Sequence, residues 1–217
     1  MGSVGTRGKR SRGRPSPRPR GDTARRAAAL GAVLLLLAGG CTWAKRFAYE
    51  GFGRDRWQRP DEVVAALGIA PGERVADLGA GGGYFTFRLA DAVGPTGRVY
   101  AVDVDRGLVD YLRGRAEREG RTQVVAVLAG PDDPKLPEPV DLVFTCNTYH
   151  HLEDRVAYFR RVRERLRPGG RVAVIDFAEG RHGTPRAVIQ KELGAAGFRL
   201  LAAPDLLERQ SFLVFAR

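Results

Sequence analysis

One segment of this chain has residue types and spacing suited to ligand chemistry: Asp77-Leu78-Gly79-Ala80-Gly81-Gly82-Gly83-Tyr84. Glycines in a strand-to-helix turn let the backbone take positive φ and approach a ligand with no Cβ in the way. In an open parallel sheet that turn lies beyond the carboxyl ends of the strands, where ligands sit. A dinucleotide-binding turn needs a third glycine three places after the second. Counted from Gly81 that place is Tyr84, so the pattern fails. Asp77, at the strand end, favours a cationic ligand and would oppose a pyrophosphate. A second acid, Asp103, ends the apolar run Val99–Val102. A third group is Asn147-Thr148-Tyr149-His150-His151, which follows an apolar run and holds two of the three histidines. An imidazole exchanges protons near neutral pH, so His150, and with it Tyr149, is a candidate for acid–base work. Metal binding is not expected, because adjacent histidines point apart and no Cys/Glu set completes a coordination sphere.

These residues need a scaffold of alternating strands and helices, and the sequence supplies one. Pro60, acids in the first turn and Gly68 as a stop predict a helix over 61–67. Strands are expected over 74–78, 98–104, 123–128, 140–146 and 171–176, with helices over 84–92, 106–119, 155–166 and 187–196 between them. Most strands are apolar throughout, which indicates a parallel sheet covered on both faces. The last two strands, 198–202 and 212–215, are joined by too short a segment for a helical crossover, so they read as an antiparallel hairpin at the sheet edge. The expected fold is α/β: a doubly wound, mostly parallel seven-stranded sheet with an antiparallel edge hairpin.

The pattern Asp77-x-Gly79-x-Gly81-x-Gly83 resembles the first motif of the class I, Rossmann-like S-adenosylmethionine-dependent methyltransferases. The resemblance runs over residues 57–217 and includes Val99–Asp103, Asp141–Asn147 and Leu166–Val172 in the family's order. It implies S-adenosylmethionine as cofactor, held by Asp77, Gly79, Gly81, Gly83, Tyr84, Asp103, Val104, Asp132, Asp133 and Asn147. In this scheme Asp103 accepts the ribose hydroxyls and Val104 packs on the adenine. Asp132 or Asp133 sits near the adenine amino group. Each acid also has a plain structural role open to it: a cap or solvated strand end for Asp77 and Asp103, a Pro-containing turn for Asp132 and Asp133.

The net charge of +11 is confined largely to the first forty residues, which hold nine Lys/Arg against the single acid Asp22; the rest carries 27 against 24. The body therefore offers no basic face for nucleic acid. Residues 7–20 are Arg/Pro/Gly/Ser-rich with nothing apolar to bury. Arg25-Arg26 precede the apolar run 27–38, and Gly39-Gly40-Cys41 resembles a bacterial lipoprotein cleavage site. This predicts a basic tail with a signal or anchor over 1–40, a linker over 41–60 and a methyltransferase domain over 61–217. Membrane association through residues 27–41 and a cell-envelope location follow, with a cytoplasmic location if that run is not a true signal. Cys41 and Cys146 cannot form a disulfide framework. The expected acceptor is a small molecule or lipid-soluble compound. The rival is a non-catalytic, methyltransferase-like envelope lipoprotein acting as a binding module.

Overall fold

A computed structural model describes residues 1–2, 53–178, 180 and 182–217. The basic tail, the apolar run 27–38 and Cys41 lie outside the described residues. The described residues from 53 onward belong to one compact unit.

Within the described residues a seven-stranded sheet runs β3-β2-β1-β4-β5-β7-β6. Its strands are β1 (Arg74–Leu78), β2 (Arg98–Asp103), β3 (Val124–Leu128), β4 (Val140–Cys146), β5 (Leu166–Phe177), β6 (Arg199–Ala202) and β7 (Gln210–Ala216). The first five are parallel, and β7 runs antiparallel to both β5 and β6. The expected fold class is therefore the observed one. In chain order the helices are α1 (Arg54–Gln58), α2 (Pro60–Ala66), α3 (Thr86–Val93), α4 (Arg106–Arg118), α5 (Arg155–Glu164) and α6 (Arg186–Ala195).

Period-two alternation divides the sheet's side chains between two cores. Val75, Leu142, Phe144 and Ile175 pack with Val63, Leu89 and Leu112 from α2, α3 and α4 on one face. Val143, Val172 and Val174 pack with Phe159, Val162, Ile189 and Leu193 from α5 and α6 on the other. With both faces covered, ligands have room chiefly at the strand ends.

Two departures from the expected elements matter. Leu166 already pairs with Val140, and the register shifts before Arg171 meets Leu142, so β5 starts earlier than residue 171 and loops out at its turn. The expected linker over 41–60 also does not extend to residue 60. Residues 54–58 are helical and Gln58 is fully buried. Four polar or charged residues and a single tryptophan show no periodicity from which such a helix could be read.

Candidate active site

Two neighbouring cavities open at the carboxyl ends of β1, β2 and β4, and Gly79, Gly81, Asn147 and Thr148 line both. The first, about 280 Å³, is walled by Arg54 and Trp57 of α1, Asp77, Tyr84, Phe85, Cys146 and Phe177. The second, about 360 Å³, is walled by Asp103, Val104, Gly130, Pro131, His151, Leu152 and Tyr158 among others.

Asp77 ends β1 and is 3% exposed, accepting a hydrogen bond from Thr86 Oγ1 at 2.7 Å. Burial pushes its carboxyl up to about 6; the Thr86 hydroxyl opposes the rise, the Asp103 charge adds to it and Arg54 offsets it. The Arg54 guanidinium lies 3.8 Å from the Tyr84 ring centroid, so the first chamber carries charges of both signs. Tyr84 OH donates to Asp55 at 2.5 Å, tying α1 to the glycine turn.

The backbone explains two glycines. Gly79 has φ +73, and a Cβ there would stand 2.1 Å from Thr148 Oγ1, so the turn can press against the segment that follows β4 only with glycine. Gly83 has φ +89, and its Cβ would meet Phe87 and Leu112 at 2.6 and 2.8 Å. Gly83 thus serves helix packing behind the turn; it lines neither chamber, contrary to the expectation that it contacts a cofactor. Gly81 N–H donates to Asp103 Oδ2 at 2.9 Å, and Asp105 N–H donates to Oδ1 at 2.9 Å. Each oxygen of Asp103 keeps acceptor capacity, and the residue is 9% exposed at the chamber wall. Val104 beside it is 64% exposed and offers an apolar surface.

Other expected site residues are placed differently. Tyr149 is fully buried on the opposite side of β4, stacked on Phe159 at 5.4 Å, and its hydroxyl donates to Glu192 at 2.8 Å. Its pKa is raised by burial and by Glu192. Tyr149 is a core residue and not a catalytic one, because the tight turn at 149–151 rolls it inward. Asp132 and Asp133 also leave the chamber to Gly130 and Pro131. Asp132 faces Arg161 at 3.6 Å, and Asp133 accepts from the Lys135 N–H at 2.8 Å while its carbonyl closes the turn with the Gly130 N–H. Both shape the turn.

His150 leaves the same turn toward β5. Its Nδ1 lies 2.7 Å from Asp176 Oδ1, and Asp176 is fully buried with Oδ2 unpartnered. His151 is stacked 4.0 Å away, and burial lowers its pKa. Burial pushes the Cys146 thiol up to about 12, so it is inert at neutral pH. Sequence reasoning missed Arg54, Trp57, Asp176 and Phe177. Asp176 was findable, since it is an acid ending an apolar strand as Asp77 and Asp103 are. Arg54, Trp57 and Phe177 carried no comparable signal. No cluster of three or more His, Cys, Asp or Glu suited to a metal occurs among the described residues.

A parallel sheet closed by an antiparallel β7, with a glycine turn between two acid-ended strands, is the Rossmann-like methyltransferase architecture. Residues 76–172 match the family model described as a methyltransferase domain. The chain is 37% identical over 115 residues to the protein-L-isoaspartate O-methyltransferase of Aeropyrum pernix, covering 52% of this chain and 42% of that protein. It is 31% identical over 123 residues to the ubiquinone/menaquinone biosynthesis C-methyltransferase UbiE of Cupriavidus taiwanensis, covering 54% and 48% respectively. The matches thus span less than half the length of these curated relatives. A SAM-dependent methyltransferase from Aquifex aeolicus shares the fold with a TM-score of 0.74 and 23% identity, over 80% of this chain and 97% of that one. Residues 76–172 thus carry the match to a methyltransferase domain, and the sheet around them has the fold of the Aquifex aeolicus structure.

Proposed function

We propose that this protein binds S-adenosylmethionine across the two chambers and transfers its methyl group to a small, largely apolar acceptor. The observation that carries the reading is the pairing of a buried Asp77 with Arg54 in one chamber, joined through Gly79 and Gly81 to a second chamber with Asp103 and Val104 on its wall. Asp77 and Arg54 suit the ammonium and carboxylate of an amino-acid end. Asp103, steadied by the Gly81 and Asp105 N–H groups, suits a pair of ribose hydroxyls, and Val104 suits the face of a base. When bound, S-adenosylmethionine supplies a methyl group on a positively charged sulfur, a leaving group already activated.

What remains for the protein is alignment, exclusion of water and, for a protic acceptor, removal of a proton. Trp57, Phe85 and Phe177 give the first chamber an aromatic wall suited to a flat acceptor. His150, whose Nδ1 lies 2.7 Å from Asp176 Oδ1, lines neither chamber and is not assigned as the base, although the sequence marked it as the candidate. Membrane association through residues 27–41 belongs to the proposal as well, supported by Arg25-Arg26, the apolar run and Cys41 in the sequence. Among the described residues no helix is long and apolar enough to cross a membrane.

Isothermal titration of the full chain with S-adenosylmethionine tests the reading: saturable heat supports it, and a folded sample that gives none defeats it. Incubation with methyl-labelled cofactor and a membrane extract then tests the acceptor class. Label in extractable small molecules or lipid is expected; label in protein or RNA would overturn that part.

A further inference from the structure

Behind the two chambers three side-chain amides form a closed ring. Gln58 Nε2 donates to Gln210 Oε1 at 2.6 Å, the Gln210 amide donates to Asn147 Oδ1, and Asn147 Nδ2 donates to Gln58 Oε1 at 3.5 Å. Each member gives one N–H and its oxygen, and each comes from a different element: α1, the start of β7 and the residue after β4. Gln58 is fully buried and Gln210 is 5% exposed. Burying carboxamides brings a desolvation cost that their hydrogen bonds roughly offset, so such a ring adds little stability over an apolar trio of similar volume. What it adds is direction, since each amide accepts its partners only in a narrow range of orientations.

The direction bears on both chambers. A five-residue helix is too short to persist by its own hydrogen bonds. Helix α1 also sits between two left-handed residues, Gly53 with φ 73 and Arg59 with φ 45, and the latter breaks its continuity with α2, which starts at Pro60. Yet α1 supplies Arg54 and Trp57 to the first chamber. Its contacts through Asp55, to Tyr84 and Arg88, are exposed to solvent, whereas its link through Gln58 is buried. At the other side of the ring Asn147 has φ 58 and lines both chambers. Gln58 and Gln210 line neither.

We infer that Gln58 and Gln210 are positioning residues: through the amide ring they lock α1 over the cofactor pocket and hold Asn147 in the left-handed turn that joins its two chambers. The inference rests on the cofactor reading above. Bond by bond, a break at either glutamine opens the ring, so the two positions act as one unit.

The test uses the full chain carrying Trp43→Phe, so that Trp57 is the remaining tryptophan, with S-adenosylhomocysteine as the probe. Gln58→Leu, Gln210→Leu and the double variant are compared with that background. Each single variant should weaken S-adenosylhomocysteine about tenfold. The double variant should weaken it no further than the worse single, because one break already opens the ring. Trp57 emission should move to longer wavelength as it leaves Phe177, now at 5.7 Å between centroids, and the thermal midpoint should fall, since each leucine leaves a ring partner buried and unpaired. Leucine variants with unchanged affinity and unchanged Trp57 emission, whatever their midpoint, would reduce the ring to a packing feature. If the background protein binds no S-adenosylhomocysteine, the cofactor reading falls. The lock is then read separately by deuterium uptake over residues 54–58. Faster uptake in Gln210→Leu supports the lock, and uptake equal to the background refutes it.

Discussion

The two chambers share a wall but are built by opposite strategies. The one around Asp103 is made at the ends of adjacent strands, and its key polar contact is a backbone N–H of the glycine turn reaching a carboxylate at the end of the neighbouring strand. The one around Asp77 borrows Arg54 and Trp57 from the beginning of the described chain and Phe177 from the end of β5. A chamber set by backbone register tolerates change in its surroundings, because strand pairing fixes it. A chamber completed by distant side chains depends on whatever holds those side chains in place. It also concentrates charge: Asp77 is fully desolvated next to Arg54, whereas Asp103 remains at the rim.

This contrast can be broken or sharpened by substitution. The largest effect is expected from Asp77→Asn, which removes the buried negative charge. S-adenosylmethionine should bind on the order of 100-fold more weakly by titration calorimetry, the scale of one charge-assisted contact in a dry site. The same substitution should stabilise the ligand-free protein. The Asp77 carboxyl is pushed up to about 6 in the folded state, above its ordinary 3.8. A raised acid contributes stability that is complete below the unfolded value and lost as pH rises through the folded one. At pH 7 that loss is on the order of 1–3 kcal/mol, and Asp77→Asn avoids it, so its thermal midpoint should exceed that of the unaltered protein. Lower affinity with a higher midpoint would mark Asp77 as a binding group kept at a cost in stability; a fall in both would assign it a structural role.

Asp103→Asn retains one acceptor for the Gly81 and Asp105 amides but loses the charge. About tenfold weaker binding is expected, the smaller figure following from its place at the rim. Affinity should also depend on pH through Asp77: S-adenosylmethionine should bind more tightly as pH rises from about 5 to 7, because the carboxylate that faces its cation ionises in that window. Asp77→Asn should flatten this profile, and Asp103→Asn should keep it but move it to lower pH, because the Asp103 charge helps to raise the Asp77 carboxyl. Tyr149→Phe should lower stability by about 1 kcal/mol through loss of the Glu192 hydrogen bond, with cofactor affinity unchanged, as its core position requires. The smallest effect, less than about twofold on affinity, is expected from Asp132→Ala, since that side chain meets only Arg161 at an exposed site.

The placement of His150 shows why part of the site escaped the sequence. Asn147 to His151 were grouped because they follow one strand, and residues grouped in sequence need not share a direction. A single 3₁₀ turn sends Tyr149 into the core beneath α5 and α6, His150 toward Asp176, and His151 to the second chamber. Asp132 and Asp133 failed for a related reason: after β3 the turn presents Gly130 and Pro131 to the cavity and leaves the two acids outside.

By itself the sequence determined the alternation of strands and helices, the parallel sheet with its antiparallel close, and the acid–glycine–acid arrangement at the rims of β1 and β2. Those features follow from short-range rules: apolar period, turn residues, and the positive φ that glycine permits. Tertiary structure alone decided which side chains complete the first chamber. Arg54, Trp57, Gln58 and Gln210 acquire roles only because β7 inserts beside β5 and α1 folds back over the glycine turn. Such contacts join residues far apart in the chain, and no local periodicity encodes them.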